Sequence, residues 1–161
     1  MAKRKYEIVS EQYLTEWLSL NYPPGSWRTN VNLGVPELYG RVDVSQSEYK
    51  YIKRSFSAKA DAVVFLPSEV HIVEAKIRDD RGKIEQLLIY EWLFRRDPEF
   101  KAYWDYPITK ILITPKDMGL LEKFLAELDI KVVYYKPAWL MQYYYKIRAF
   151  ERRGLLSSVK F

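Results

Sequence analysis

Asp61, Glu74 and Lys76 are the three side chains whose type and spacing could do chemistry together. They lie in a stretch that reads Asp-Ala-Val-Val-Phe-Leu-Pro-Ser-Glu-Val-His-Ile-Val-Glu-Ala-Lys. A polar link follows, and then Gly-Lys-Ile-Glu-Gln-Leu-Leu-Ile-Tyr, ending at Tyr90. Two carboxylates beside an ammonium group suit a hard divalent cation. Mg²⁺ takes oxygen ligands, often only one or two protein carboxylates, and keeps its other positions for water and substrate phosphate. Such a metal makes water more acidic and offsets charge on a phosphate under attack. A lysine alongside can orient that water, help deprotonate it, or stabilise charge building at phosphorus. Any one of these acids alone reads as a buried salt bridge or a solvated strand end. The three on one face point to a site.

The elements that must bring them together follow from the same stretch. Two apolar runs, Ala62–Leu66 and Val70–Val73, flank Pro67-Ser68. Proline pre-sets φ at the second position of a tight turn and serine suits the next, so the runs read as a β-hairpin. A turn centred on Pro67-Ser68 sets Leu66 opposite Glu69, Phe65 opposite Val70, and Asp61 opposite Glu74. Opposed residues project to one face of the sheet, and Lys76, two residues past Glu74, shares it. The rest of both strands is almost wholly apolar, as in strands covered on both faces. Charges beside such a sheet are costly unless paired or metal-bound.

This arrangement resembles the PD-(D/E)xK nucleases, which have the restriction-endonuclease-like fold: an acid (Asp61), a hairpin, then Glu74-Ala75-Lys76. Gln86-Leu87-Leu88-Ile89-Tyr90 resembles the Gln-x-x-x-Tyr helix motif of the RecB-type branch, and archaeal Holliday junction resolvases share the core. The resemblance covers about residues 8–115, with its diagnostic residues inside 61–90. Ala60 stands where the motif has proline. The resemblance implies that Asp61, Glu74 and the main-chain carbonyl of Ala75 hold Mg²⁺ or Mn²⁺, and that Lys76 positions or activates water. It implies that Gln86 holds a phosphate or the water, and that Tyr90 orients Lys76 or packs against substrate. Resolvase-like members often supply a further acid from the first helix. Glu11 and Glu16 border that helix's apolar stripe on opposite sides, so periodicity does not choose between them; the resolvase pattern favours Glu11. Many relatives cut both strands as dimers, so the resemblance also raises a homodimer.

The chain has 161 residues and a net charge of +5. That length suits a single domain, residues 1–161, with a basic arm over 1–8 and a tail over 155–161. The positive balance is compatible with nucleic acid. No cysteine is present, which excludes disulfides, thiolate metal sites and cysteine nucleophiles. The one histidine, His71, faces away from Glu74 by alternation, and a lone histidine removes most zinc sites and weakens any Ser-His-Asp scheme. No signal-peptide or membrane-spanning run is present, so the expected protein is soluble, intracellular and cytoplasmic, with no membrane partner.

Ser10 reads as the cap of a first helix ending near Asn21, ahead of Pro23-Pro24-Gly25. Residues 27–35 read as a strand. Gly40–Ser45 could be another, with Asp43 a rival ligand that lacks the register to Glu74. Lys50, Lys53 and Arg54 beside Tyr49 and Tyr51 suit a nucleic-acid backbone with stacked bases, or else a solvated edge blunted by charge. Lys59, Arg78 and Lys83 complete the candidate nucleic-acid contacts. Asp79 and Asp80 read as turn caps. Helices are expected over 82–96, 119–128 and 137–153, the last stopped by Gly154, with strands over 108–114 and 130–135. Alternating helices and strands imply a mixed sheet covered by helices. The expected fold is therefore α/β, a restriction-endonuclease-like core with a mixed central sheet flanked by helices and a C-terminal helix–strand–helix addition. The expected function is metal-dependent hydrolysis of phosphodiester bonds, in DNA first. The alternative is a catalytically inactive nucleic-acid-binding or oligomeric scaffolding module on the same fold.

Overall fold

The computed structural model describes residues 5–34, 45, 47–48, 58–77 and 83–158. In chain order these form α1 (Lys5–Asn21), β1 (Trp27–Leu33), β2 (Ala58–Phe65), β3 (Val70–Ala75) and α2 (Lys83–Phe94). A short 3₁₀ helix (Pro98–Tyr103) leads to β4 (Ile108–Thr114), α3 (Leu120–Glu127), β5 (Ile130–Tyr134) and α4 (Ala138–Ser158). Among the described residues the strands make one five-stranded open sheet in the order β1-β2-β3-β4-β5. β1, β2 and β3 pair antiparallel, whereas β3, β4 and β5 run parallel. The sheet is therefore mixed, with α2 and α3 carrying the two parallel crossovers. Parallel strands need covering on both faces, and two cores supply it. One packs Leu87, Tyr90, Leu93 and Phe94 of α2 and Leu125 of α3 against Val63, Val70, Ile72 and Leu112. The other packs Tyr13, Leu14, Trp17 and Leu18 of α1 and Leu140 of α4 against Val64, Val73, Ile111 and Ile113.

Two helix boundaries and one apolar face differ from the sequence expectations. α1 begins at Lys5, so residues 5–8 belong to the helix rather than to a basic arm, and Ser10 lies inside it. Val9 is buried in the α1 core; it extends the apolar stripe one turn upstream, and that packing outweighs the weak capping preference of a single serine. α4 runs through Gly154 to Ser158. One glycine in a helix costs about 1 kcal/mol, too little to end a helix of this length. α3 presents a broad apolar face, yet only Leu125 is fully buried, while Leu120 is 81% and Phe124 50% exposed. A helix of two turns can press only one row of side chains onto the sheet.

His71 is tied to α1's C-terminal side. The Tyr22 hydroxyl is hydrogen-bonded to His71 Nδ1 at 2.7 Å, and His71 Nε2 lies 3.2 Å from Glu69 Oε1. Burial first, and the Glu69 carboxylate second, push the Tyr22 phenol up to about 12. Burial also raises Tyr13, with Tyr144 and Tyr135 as lesser causes; its hydroxyl donates to the Tyr135 carbonyl at 2.7 Å. Both phenols keep their protons in the folded chain at a pH where the unfolded chain has lost them. The folded state then holds more protons, so stability falls as pH rises. This contribution is fully present below the ordinary tyrosine value of 10 and is lost as pH climbs toward about 12. Thermal melts are expected to show a steep fall in midpoint across that window. Tyr22→Phe should give a shallower fall, and an equal slope in both proteins would show that Tyr22 takes no part.

Candidate active site

The β2–β3 ladder runs from Phe65↔Val70 to Ala62↔Val73. The Leu66 N–H donates to the Glu69 carbonyl at 2.9 Å, closing the turn over Pro67-Ser68. Carried one step beyond Ala62↔Val73, this register sets Asp61 opposite Glu74. There side chains replace the main-chain ladder. The Asp61 N–H donates to Glu74 Oε1 at 2.9 Å, and the Ala75 N–H donates to Asp61 Oδ2 at 2.9 Å. Two carboxylates thus fill the gap where β2 parts from β3, each held by a backbone amide of the other's strand.

The parting has a local cause. Residues two apart on a strand share a face, yet Ala60 belongs to the α2-side core and Ala62 to the α1-side core. On β1 the change falls between Trp27, against the α1-side core, and Val31, in the α2-side core. The β1–β2 register runs Thr29↔Ala62 and then Val31↔Ala60, passing over Asn30 and Asp61. Asn30 has φ +53°, a left-handed conformation that asparagine tolerates better than most residues. Both strands of the ribbon therefore turn over at this rung. Irregularities of this kind re-aim side chains beside functional sites.

Glu74 is 1% and Lys76 9% exposed. The Lys76 N–H donates to the Ile113 carbonyl at 2.8 Å, continuing the β3–β4 pairing past Ala75. Ala75 and Ile77 belong to the α1-side core, so alternation sends Glu74 and Lys76 to the opposite side, whereas Asp61, at the rung where β2 turns over, opens toward α1. The single shared face expected for the three is not what the strands show. The main-chain carbonyl of Ala75 sits between the acid and the lysine.

Asp61 also lines an open cleft of about 550 Å³ between α1 and the β1–β2 ribbon, and Glu11 lines it with Asp61. Glu16, the rival on α1, is committed elsewhere. Its carboxylate accepts from the Tyr135 hydroxyl and from Trp139 Nε1 at 3.0–3.1 Å. Burial, then the bond to Glu16, push the Tyr135 phenol up to about 12. Glu16 therefore fastens α1 to β5 and α4. Helical spacing marked both acids as stripe borders and held no sign of which border met an aromatic hydroxyl.

Tyr90 is buried and its hydroxyl donates to the Lys59 carbonyl at 2.8 Å. It anchors β2 two residues ahead of Asp61. Gln86 is exposed. Although the two are four residues apart on α2 and project along the same row, Gln86 stands in the helix's first turn and is exposed, whereas Tyr90 lies a turn further in. The Lys59 side chain is exposed on β2. Lys50, Lys53, Arg54 and Arg78 lie outside the described residues, as do Asp43, Asp79 and Asp80, and the Lys83 side chain lies outside them too.

Among the described residues no three His, Cys, Asp or Glu side chains converge as a ready-made metal cluster. The donor set suits a cation that needs fewer. Mg²⁺ often binds through one or two carboxylates, and a carboxylate accepts about four hydrogen bonds or ligand contacts in all. Asp61 and Glu74, with the Ala75 carbonyl beside them, are oxygen donors of the type that fits, and Glu11 borders the same cleft.

The two α1 acids should separate in stability measurements. Glu16→Leu leaves the Trp139 N–H and the Tyr135 hydroxyl without their acceptor, and is expected to cost about 1–3 kcal/mol. Glu11→Gln, at the cleft, should stay within about 0.5 kcal/mol of wild type. Urea unfolding measures both, and equal losses would contradict the division of roles. No known family model, no curated protein and no solved structure matches this chain.

Proposed function

We propose that this chain is a metal-dependent nuclease, built on a restriction-endonuclease-like version of its mixed α/β sheet, that hydrolyses phosphodiester bonds in DNA. The observation that carries the reading is the rung at which Asp61 and Glu74 exchange bonds with each other's backbone, 2.9 Å in each direction. It supports the reading because adjacent strands hold two acids in a fixed relation, with Lys76 two residues beyond the second. No helix among the described residues is long and apolar enough to cross a membrane.

Asp61, Glu74 and the Ala75 carbonyl would hold Mg²⁺ or Mn²⁺, with Glu11 added from across the cleft. When bound, the ion supplies a more acidic water and offsets charge on the phosphate. The backbone amides of Asp61 and Ala75 fix the carboxylates, so little reorganisation is needed when substrate arrives. Lys76, as an ammonium, has three donors and no acceptor. It orients the water or a phosphate oxygen by donating to it, from a position where burial strengthens its charge interactions. Tyr90 keeps β2 in register through the Lys59 carbonyl. Gln86, exposed in the first turn of α2, is left the outer role of contacting a phosphate.

The test is cleavage of single-stranded, duplex and branched DNA in Mg²⁺ or Mn²⁺. Glu74→Gln keeps an acceptor for the Asp61 N–H, and Lys76→Met keeps the length of the side chain. Each is expected to lower the rate by at least about 100-fold, the scale of losing one fixed electrostatic group, with melting curves close to wild type. Calorimetric titration should show Mn²⁺ binding to wild type and loss of it in Glu74→Gln. Undiminished cleavage by Glu74→Gln, or no cleavage of any of these DNAs by wild type, would end the proposal.

A further inference from the structure

A second cleft lies at the carboxyl ends of β4 and β5. Its origin is topological. The chain leaves β4 toward α3, which packs Leu125 into the α2-side core, and leaves β5 toward α4, which packs Leu140 into the α1-side core. Adjacent parallel strands whose exits diverge to opposite faces leave a crevice beyond their ends, and open α/β sheets bind ligands in crevices of this kind. Here the crevice has a volume of about 540 Å³.

Its walls carry Lys116 from the β4 exit, Lys136 from the β5 exit, and Tyr145 and Arg148 from α4. All four are exposed, Tyr145 at 73%. Among the described residues the wall carries one acid, Asp117, and its Oδ1 accepts from the Gly119 N–H at 2.8 Å. The described part of the wall thus brings three basic side chains and one backbone-bonded carboxylate together. One wall residue also reaches the end of β3. Tyr144, also on its wall, donates its hydroxyl to the carbonyl of Ile77, the residue after Lys76.

We propose that this crevice holds a single-stranded segment of the nuclease's substrate, with its phosphates along Lys116, Lys136 and Arg148 and one base stacked on Tyr145. The inference rests on the nuclease reading, since it makes the crevice the path of that site's substrate. Cations that track a backbone, together with an exposed aromatic ring, are what unpaired strands require. A duplex offers no free base face to Tyr145. The strand would run from α4 across Tyr144 to the end of β3.

Fluorescence anisotropy with a labelled oligothymidylate, in EDTA so that nothing is cut, tests this directly. The Lys116→Ala/Lys136→Ala/Arg148→Ala triple variant is expected to bind at least about 100-fold more weakly. Its salt dependence should be shallower by about 2, at about 0.7 per phosphate contact for single strands. Tyr145→Ala should weaken single-strand binding by about tenfold, the scale of one lost stacking contact, with little effect on a duplex of equal length. Tyr145→Phe should restore it. All these residues are exposed, and circular dichroism checks that each variant folds. An unchanged affinity and salt slope in the triple variant would overturn the inference, as would a duplex bound as tightly as the single strand with no effect of Tyr145→Ala. Equal competition by polyglutamate would also overturn it, by marking a general polyanion surface. The two readings fail separately. Cleavage lost in Glu74→Gln while the triple variant binds normally removes the crevice and keeps the nuclease. Binding through the crevice with no cleavage of any DNA removes the nuclease and keeps the crevice.

Discussion

The gap between β2 and β3 beyond Ala62↔Val73 governs how Asp61 and Glu74 are held. Where two strands part, their inward amides need new acceptors, because a buried N–H without one costs about 1–3 kcal/mol. Asp61 and Glu74 provide those acceptors at 2.9 Å each. What those two contacts require is an oxygen, however, and not a charge. Asparagine and glutamine present the same carbonyl acceptor without an ion. Moving a carboxylate out of water costs several kcal/mol, more than the roughly 1.5–3 kcal/mol that a hydrogen bond to a charged group returns. Glu74 nevertheless keeps a carboxylate at 1% exposure, and a buried charge persists only where it is paired or hydrogen-bonded.

The geometry of that rung was legible in the sequence because a single turn determines it. Pro67-Ser68 sets which residues face each other, and antiparallel pairing carries that register as far as Ala62↔Val73, one step short of Asp61 and Glu74, where side-chain bonds take over. The parallel strands were legible for a similar reason. Ile108–Thr114 is an unbroken β-rich run, and the strand occupies those same residues. The turning-over of β1 and β2 was not legible. Strict alternation assumes regular pleating, and nothing in the residue types around Asn30 or Asp61 announces that Ala60 and Ala62 enter different cores. The ends of α1 and α4 were also hidden. Burial of Val9 and the length of α4 decide them, and local signals such as Ser10 and Gly154 are weaker than either.

Side chains that reach across the fold were the least legible. Glu16 meets Trp139 at a sequence separation of 123, and Tyr90 meets Lys59 at 31. Helical spacing ranks residues by face and holds no information about which strand or helix lies opposite. It therefore left Glu11 and Glu16 equal and grouped Gln86 with Tyr90. Tertiary contacts separate both pairs. Glu11 borders the cleft of Asp61, and Gln86 is exposed while Tyr90 is buried.

Those long-range bonds also join the two clefts into one mechanical unit. Tyr13 of α1 holds the Tyr135 carbonyl, Tyr135 and Trp139 hold Glu16 of α1, and Tyr144 of α4 holds the Ile77 carbonyl. The link from α1 through the β5 exit to α4 and back to the end of β3 is polar and partly buried at every step. Polar groups bonded in such surroundings keep a defined geometry, because slipping from it strands each of them away from water. Glu11 lies about one and a half turns before Glu16 on the same helix. Lys76 is the residue before Ile77. The helix that borders Asp61's cleft and the helix that walls the crevice thus share one face of the sheet and are bonded to each other, and α4 is bonded in turn to the end of β3. A displacement of α4 by something seated in the crevice would be felt at the Ile77 carbonyl, one residue from the lysine.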